Sequence, residues 1–187
     1  MHLIVALILA AGEGSRIGTP KATLEVNGER FVDRAVSTFK RAGCTEVYVV
    51  LGAWVGEVEN AKVIVNQNWK EGMGSSLRIG LSHISSLSEV ESVLVSLVDL
   101  PGLSVQVVKK VLAEPGEIVI PTYGEKPGHP VRFSRRHWQP IMESAVGDVG
   151  AREYLSGKSG VHYVEVGDMA DGKDIDTRED LEGFMKD

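Results

Sequence analysis

The stretch LIVALILAAGEGSRIGTPK, Leu3 to Lys21, decides how the rest of the chain is read. Its first half is a continuous apolar run with no polar alternation, the pattern of a strand covered on both faces. Its second half abandons side-chain bulk: small residues and three glycines, Gly12, Gly14 and Gly18, leave Arg16 and Lys21 standing over bare backbone. A loop of that composition forgoes packing, so a partner other than protein must approach its amides. Two common nucleotide motifs are excluded. Ile17 occupies the place of the third glycine in the dinucleotide fingerprint, and Gly18 is followed by Thr-Pro-Lys rather than Lys-Ser or Lys-Thr. What remains is a run of exposed N–H groups suited to an anion, with Arg16 and Lys21 adding charge and Pro20 stiffening the approach to Lys21.

Similar β-branched runs recur at 46–51, 62–65, 92–98 and 117–120, with helical patterns at 31–42, 75–85, 104–113, 135–143, 151–156 and 177–186. Apolar strands alternating with helices predict an α/β fold: a Rossmann-like, doubly wound, mostly parallel sheet with helices on both faces. Asn27-Gly28 predicts a small hairpin before the first long helix. Thr177 followed by Asp180 resembles a capping box. In the absence of repeats or linkers, residues 1–187 are expected to form one domain, with the segment 121–130 read as an active-site loop. In open α/β sheets ligands sit beyond the carboxyl ends of the strands. That rule singles out the glycine loop, the segment NQNWKEGMGSS (66–76) and Asp99-Leu100-Pro101.

Composition narrows the partners. The 187 residues are 43% hydrophobic and 25% charged, as in a soluble globular protein, and the net charge of −6 argues against general nucleic-acid binding. The N-terminal run lacks a basic leader and a cleavage site, and no apolar stretch is long enough for a membrane span. Cys44, the only cysteine, can form no internal disulfide, which fits a cytoplasmic location. Asp99, ending the most strongly apolar strand, fits a hard divalent cation such as Mg²⁺, which takes one or two carboxylates plus substrate phosphates. His2, His83 and His162 are read as incidental.

LAAGEGSRIGTPK resembles the LAAGxSxRMGxxK signature of nucleotidyltransferases that couple a nucleoside triphosphate to a phosphorylated partner. The remaining motifs look like the molybdenum cofactor cytidylyltransferase branch of the MobA/MocA-like superfamily. They are NQNWKEGMGSSLRIG (66–80), DLPGL (99–103), GEKPGHPVRFSRRHW (124–138), GDVGAR (147–152) and DIDTRED (174–180). The sequence departs from the pattern at Ile17, where Met or Phe is commoner, and at Gly74, where serine is usual.

The resemblance implies that Ala11, Gly12, Gly14, Ser15 and Arg16 contact phosphates while Lys21 reaches the phosphoryl group under attack. Lys21, Arg16 and Asp99 would be the catalytic set. Asp176 is placed as the second Mg²⁺ ligand, although Asp174, two residues away on an extended segment, points the same way. The opening Leu9, Ala10 and Ala11 favour cytosine over guanine, and Ser75 or Ser76 would bond base or ribose. His129, Asp148 and Arg152 are the acceptor-binding candidates. The implied reaction joins CMP from CTP to molybdenum-molybdopterin, with a molybdenum hydroxylase apoenzyme as an expected recipient of the product. The competing expectations are a transferase using GTP or a sugar, polyol or amine phosphate, and a non-catalytic cofactor chaperone.

Overall fold

The computed structural model describes residues 3–186, so His2 lies outside it. The opening apolar run becomes strand β1 (Leu3–Leu9), buried from Val5 onward. It needs no polar face because Ala6 and Ile8 enter one hydrophobic cluster while Val5, Leu7 and Leu9 enter a second on the other side. A two-stranded hairpin follows, β2 (Glu25–Val26) and β3 (Glu29–Arg30). Its turn at Asn27-Gly28 has positive φ at both residues, as the Asn-Gly pair predicts.

The remaining elements, in chain order, are α1 (Phe31–Ala42), β4 (Val47–Leu51), β5 (Lys62–Val65), α2 (Met73–Ser85), β6 (Val90–Leu97), α3 (Val105–Ala113) and β7 (Ile118–Tyr123). After them come β8 (Lys126–Pro127), β9 (Val131–Ser134), α4 (Trp138–Ser144), α5 (Arg152–Leu155), β10 (Val161–Glu165) and α6 (Arg178–Phe184). An eight-stranded sheet runs in the order β10-β7-β9-β6-β1-β4-β5, with β8 paired to β7. Helices α1 and α3 supply Phe31, Val36, Phe39 and Val108 to one cluster. Helices α2 and α4 supply Leu77, Leu81, Trp138 and Ile141 to the other, so both faces are covered. Cys44 is buried, and burial pushes its thiol up to about 12. Among the described residues no helix is long and apolar enough to cross a membrane.

Three departures from the sequence reading have physical reasons. Strand β9 runs antiparallel between β6 and β7. Its centre is Arg132, a residue that does not advertise a buried strand, yet its guanidinium donates to the Leu112, Glu114 and Gly116 carbonyls at the end of α3. Strand β10 pairs in parallel with β7 and alternates buried and exposed residues too weakly to stand out. The segment 121–130 is not a free loop: β7 continues to Tyr123 and folds back as β8.

Sheet order fixes the position of any ligand. From β1 the chain builds outward through β4 to β5, then returns to β6 on the opposite side of β1. The reversal opens a crevice beyond the carboxyl ends of β1 and β6, the switch point at which α/β sheets bind ligands.

Candidate active site

Immediately after β1 the backbone is still tied to the sheet, with Ala10 N–H donating to Val50 O and Ala53 N–H to Ala11 O, both at 2.9 Å. It then turns back on itself. Gly14 has φ +64°, and a Cβ there would lie 1.9 Å from the Thr19 carbonyl oxygen, so no side chain fits. The Gly14 carbonyl accepts from the amides of Ile17 (3.0 Å) and Gly18 (2.7 Å), and buried Ile17 pins the turn to the core. Among the described residues the amides of residues 12 to 16 have no protein acceptor. These donors line the cleft and form the anion-binding concavity that the glycines imply.

Below the loop the charges interlock. Lys21 Nζ donates to Asp99 Oδ2 at 2.7 Å and to Asp176 Oδ1, while Arg16 Nη1 donates to Asp176 Oδ2 at 3.0 Å. Burial by itself would lower the Lys21 pKa, but Asp99 and Asp176 outweigh it and hold the ammonium above the ordinary lysine value. Asp176 is held below the usual carboxylate range, chiefly by the hydrogen bond from Lys21. The last segment is aligned by Ile175 N–H donating to the Asp99 carbonyl at 2.9 Å and by the Thr177–Asp180 capping box. Arg178 Nε, donating to Ile17 O at 3.3 Å, ties the start of α6 to the glycine loop.

The donor set fits a hard divalent cation. Asp99 Oδ1 is buried with no hydrogen-bond partner, and carboxylate oxygens of Asp99, Asp174 and Asp176 lie within 4.8 Å of one another. Oxygen-only donors at that spacing match Mg²⁺ or Mn²⁺. Both Asp174 and Asp176 reach the cluster, as their like-facing spacing predicts. Asp176 is engaged by two cations, whereas Asp174 is exposed.

The cleft above these groups measures about 490 Å³. Most nominated residues line it: the loop from Leu9 to Arg16, then Lys21, Ser76, Asp99, Asp148 and Asp176. Ser75 does not. Its Oγ accepts from Asn66 Nδ2 at 2.8 Å and lies 2.8 Å from the Gly72 carbonyl, so this buried hydroxyl braces the start of α2. Asn66 Nδ2 also reaches Ser76 Oγ at 3.0 Å. Asp148 Oδ1 accepts from Met73 N–H at 3.2 Å, which makes it a cap on α2 as well as a wall residue.

His129 and Arg152 stand apart from the lining. His129 Nδ1 faces Val95 O at 3.4 Å, and its carbonyl accepts from Tyr123 OH at 2.6 Å. Burial depresses the imidazole pKa, against the opposing pull of the Val95 carbonyl and Asp99. Arg152 is exposed on α5, with no side-chain partner among the described residues. Sequence order cannot reveal either outcome, because both depend on how the segments around β9 and α5 pack. Reading by residue type also passed over Trp69, Glu71 and Asn66. All three belong to a segment already singled out, and an aromatic residue in its Asn/Gly-rich stretch was the available signal for Trp69.

The MobA-like NTP transferase domain family matches residues 6–164, from β1 to β10. The segment carrying Asp174 and Asp176 follows that span. The chain is 34% identical to nicotine blue oxidoreductase of Paenarthrobacter nicotinovorans, with 95% of this chain and 94% of the relative covered. It is 27% identical to the purine catabolism protein PucB of Bacillus subtilis, with 96% and 94% covered. Among solved structures it resembles Rv0371c of Mycobacterium tuberculosis H37Rv at TM-score 0.85 and 22% identity, with 100% and 99% covered. A complex of that protein with manganese superposes at TM-score 0.80 and 21% identity, with 98% of each chain covered. Since the family match takes in the glycine loop, Lys21 and Asp99 and spans most of the sheet, this chain belongs to the MobA-like NTP transferase domain family and is a nucleotidyltransferase.

Proposed function

We propose that this nucleotidyltransferase moves CMP from CTP to the terminal phosphate of molybdenum-molybdopterin, giving molybdopterin cytosine dinucleotide and pyrophosphate. The observation that carries the reading is the meeting of Lys21 with Asp99 and Asp176 under a loop whose amides are unspent. The amides of residues 12 to 16 and the Arg16 guanidinium hold the triphosphate. Lys21, exchanged from carboxylate to phosphate, neutralises the negative charge that develops on the phosphoryl group under attack. An oxygen of the acceptor phosphate bonds to the α-phosphorus, the bond to the bridging α–β oxygen breaks, and that electron pair leaves with pyrophosphate. No covalent intermediate on the protein is needed. Mg²⁺ held by Asp99 with Asp174 or Asp176 would supply charge neutralisation on the phosphate oxygens. The Leu9-Ala10-Ala11 opening supports cytosine. Of the acceptor candidates, Asp148 keeps a place on the cleft wall, whereas His129 and Arg152 lie outside its lining; Ser75, a candidate for base or ribose, is hydrogen-bonded internally.

The name of the 34%-identical relative favours a second reading, a redox reaction in the same cleft. One experiment separates the two. Purified protein with Mg²⁺ and molybdenum-loaded molybdopterin is assayed for pyrophosphate release with CTP, GTP, ATP and UTP in parallel. Release confined mainly to CTP is expected. Release with GTP, or only with another phosphorylated acceptor, would keep the chemistry and replace the substrate. No release with any nucleotide, together with oxidation of a reduced nicotinamide dinucleotide, would replace the chemistry. Tight binding without either reaction would leave a cofactor chaperone.

A further inference from the structure

We infer that Trp69 is the stacking platform for the nucleobase of the bound nucleoside triphosphate. The inference rests on the nucleotidyltransferase reading of the cleft and adds a residue to it. Trp69 opens the 3-10 turn Trp69–Glu71 after β5 and lines the cleft. Its seat is built for it. A Cβ added to Gly52, the first residue past β4, would lie 2.6 Å and 2.8 Å from Trp69 Cβ and Cγ, so glycine is required for the indole to stand there. The same added atom would lie 2.9 Å from Ala11 Cβ, which puts the ring's root beside the head of the glycine loop.

The side chain packs against one hydrophobic cluster with only part of its surface. Trp138, the core indole, is 1% exposed and donates its N–H to Phe133 O at 3.1 Å. Trp69 is only part-buried, and among the described residues its indole N–H has no acceptor. Lys70 Nζ lies 5.4 Å from its ring centroid, adding a positive charge to that end of the cleft.

Sheet order supplies the direction. Gly52 follows β4 on one side of β1, while Asp99 follows β6 on the other, so the cleft has an aromatic end and a charged end two strand spacings apart. Two spacings are about 10 Å, a separation that suits a heterocycle at one end and its phosphates at the other. With the triphosphate on the loop amides and near Lys21, the base falls on Trp69. Stacking on an indole is tolerant of base identity, so Trp69 supplies affinity while smaller neighbours choose the base.

The test is calorimetric binding of CTP in the presence of Mg²⁺, without acceptor, alongside inorganic tripolyphosphate as a probe that has phosphates but no base. Trp69→Ala should weaken CTP by about 5- to 150-fold and leave tripolyphosphate unchanged. Trp69→Phe should retain most of the CTP affinity while losing the CTP-induced quench of tryptophan fluorescence, with Trp54 and Trp138 still present. Gly52→Ala, which dislodges the ring without removing it, should follow Trp69→Ala. Far-UV circular dichroism verifies that each variant is folded. Unchanged CTP affinity in folded Trp69→Ala would overturn the inference alone. Equal losses for CTP and tripolyphosphate would overturn it too, by showing that the ring props up the loop. A wild type that binds no nucleotide would remove both the inference and the proposed function.

Discussion

Replacing Lys21 with methionine keeps most of the side chain's reach and removes its charge. In the native site the ammonium bonds both Asp99 and Asp176, whose oxygens, with one from Asp174, lie within 4.8 Å of each other. Two like charges at that separation repel by about 3 kcal/mol at an effective dielectric of 20. The Asp99 side chain is only 14% exposed, so water screens it little, and removing one partner of a buried pair costs on the order of 3–5 kcal/mol. Asp176 is 37% exposed and retains Arg16 at 3.0 Å, which places the loss near the lower bound, about 3 kcal/mol. In a chain of this length each kcal/mol lowers the melting temperature by about 2–4 °C, so Lys21→Met should melt roughly 6–12 °C below wild type.

The same repulsion makes the variant a greedier cation site. Millimolar MnCl₂ should therefore recover more of the melting temperature in Lys21→Met than it adds to wild type, because a divalent ion replaces the missing positive charge. Turnover should still fall by a factor on the order of 10² or more, since the ion cannot take over the ammonium's contact with the phosphoryl group. Melting curves followed by circular dichroism at pH 7, with and without Mn²⁺, decide the matter. An unchanged melting temperature would refute the reasoning, as would a variant that gains no more from Mn²⁺ than wild type does.

Asp176→Asn should flatten the acid limb of the stability profile. The folded pKa of Asp176 is depressed below its ordinary 3.8, so its contribution is present above that value and lost as pH falls through the folded pKa. Urea denaturation across the acid range would show equal acid slopes for the two proteins if the ion pairs contributed nothing. Gly14→Ala should cost about 1–3 kcal/mol for the left-handed backbone alone, with more from the clash against Thr19 O. The same substitution should weaken nucleotide binding by turning the loop amides aside. An unchanged urea midpoint would show that the turn relaxes freely.

Much of the fold was legible because its signals are local. The unbroken apolar run of β1 needs a sheet covered on both faces, and Phe31–Ala42 and Lys62–Val65 appear where their patterns put them. Where a signal depended on distant partners, the pattern misled. Val131–Ser134 can be a buried strand with Arg132 at its centre because three carbonyls from the end of α3 and the residues just after it accept from the guanidinium, and nothing within those four residues announces it.

The site divides along the same line. Glycine spacing, a strand running into Asp99 and two nearby cations point by themselves to an anion and a hard metal at one edge of a sheet. They do so because backbone freedom, charge and strand termination are properties of short segments. Only the tertiary structure decided that Asp176 bonds Lys21 across a separation of 155 residues, that Asp99 Oδ1 is left unpaired, and that the His129 ring faces the Val95 carbonyl. Gly52 likewise makes room for Trp69 only because β4 and the turn after β5 are brought side by side. Hydrogen bonds, desolvation and steric fit act through space, and chain order does not encode those distances.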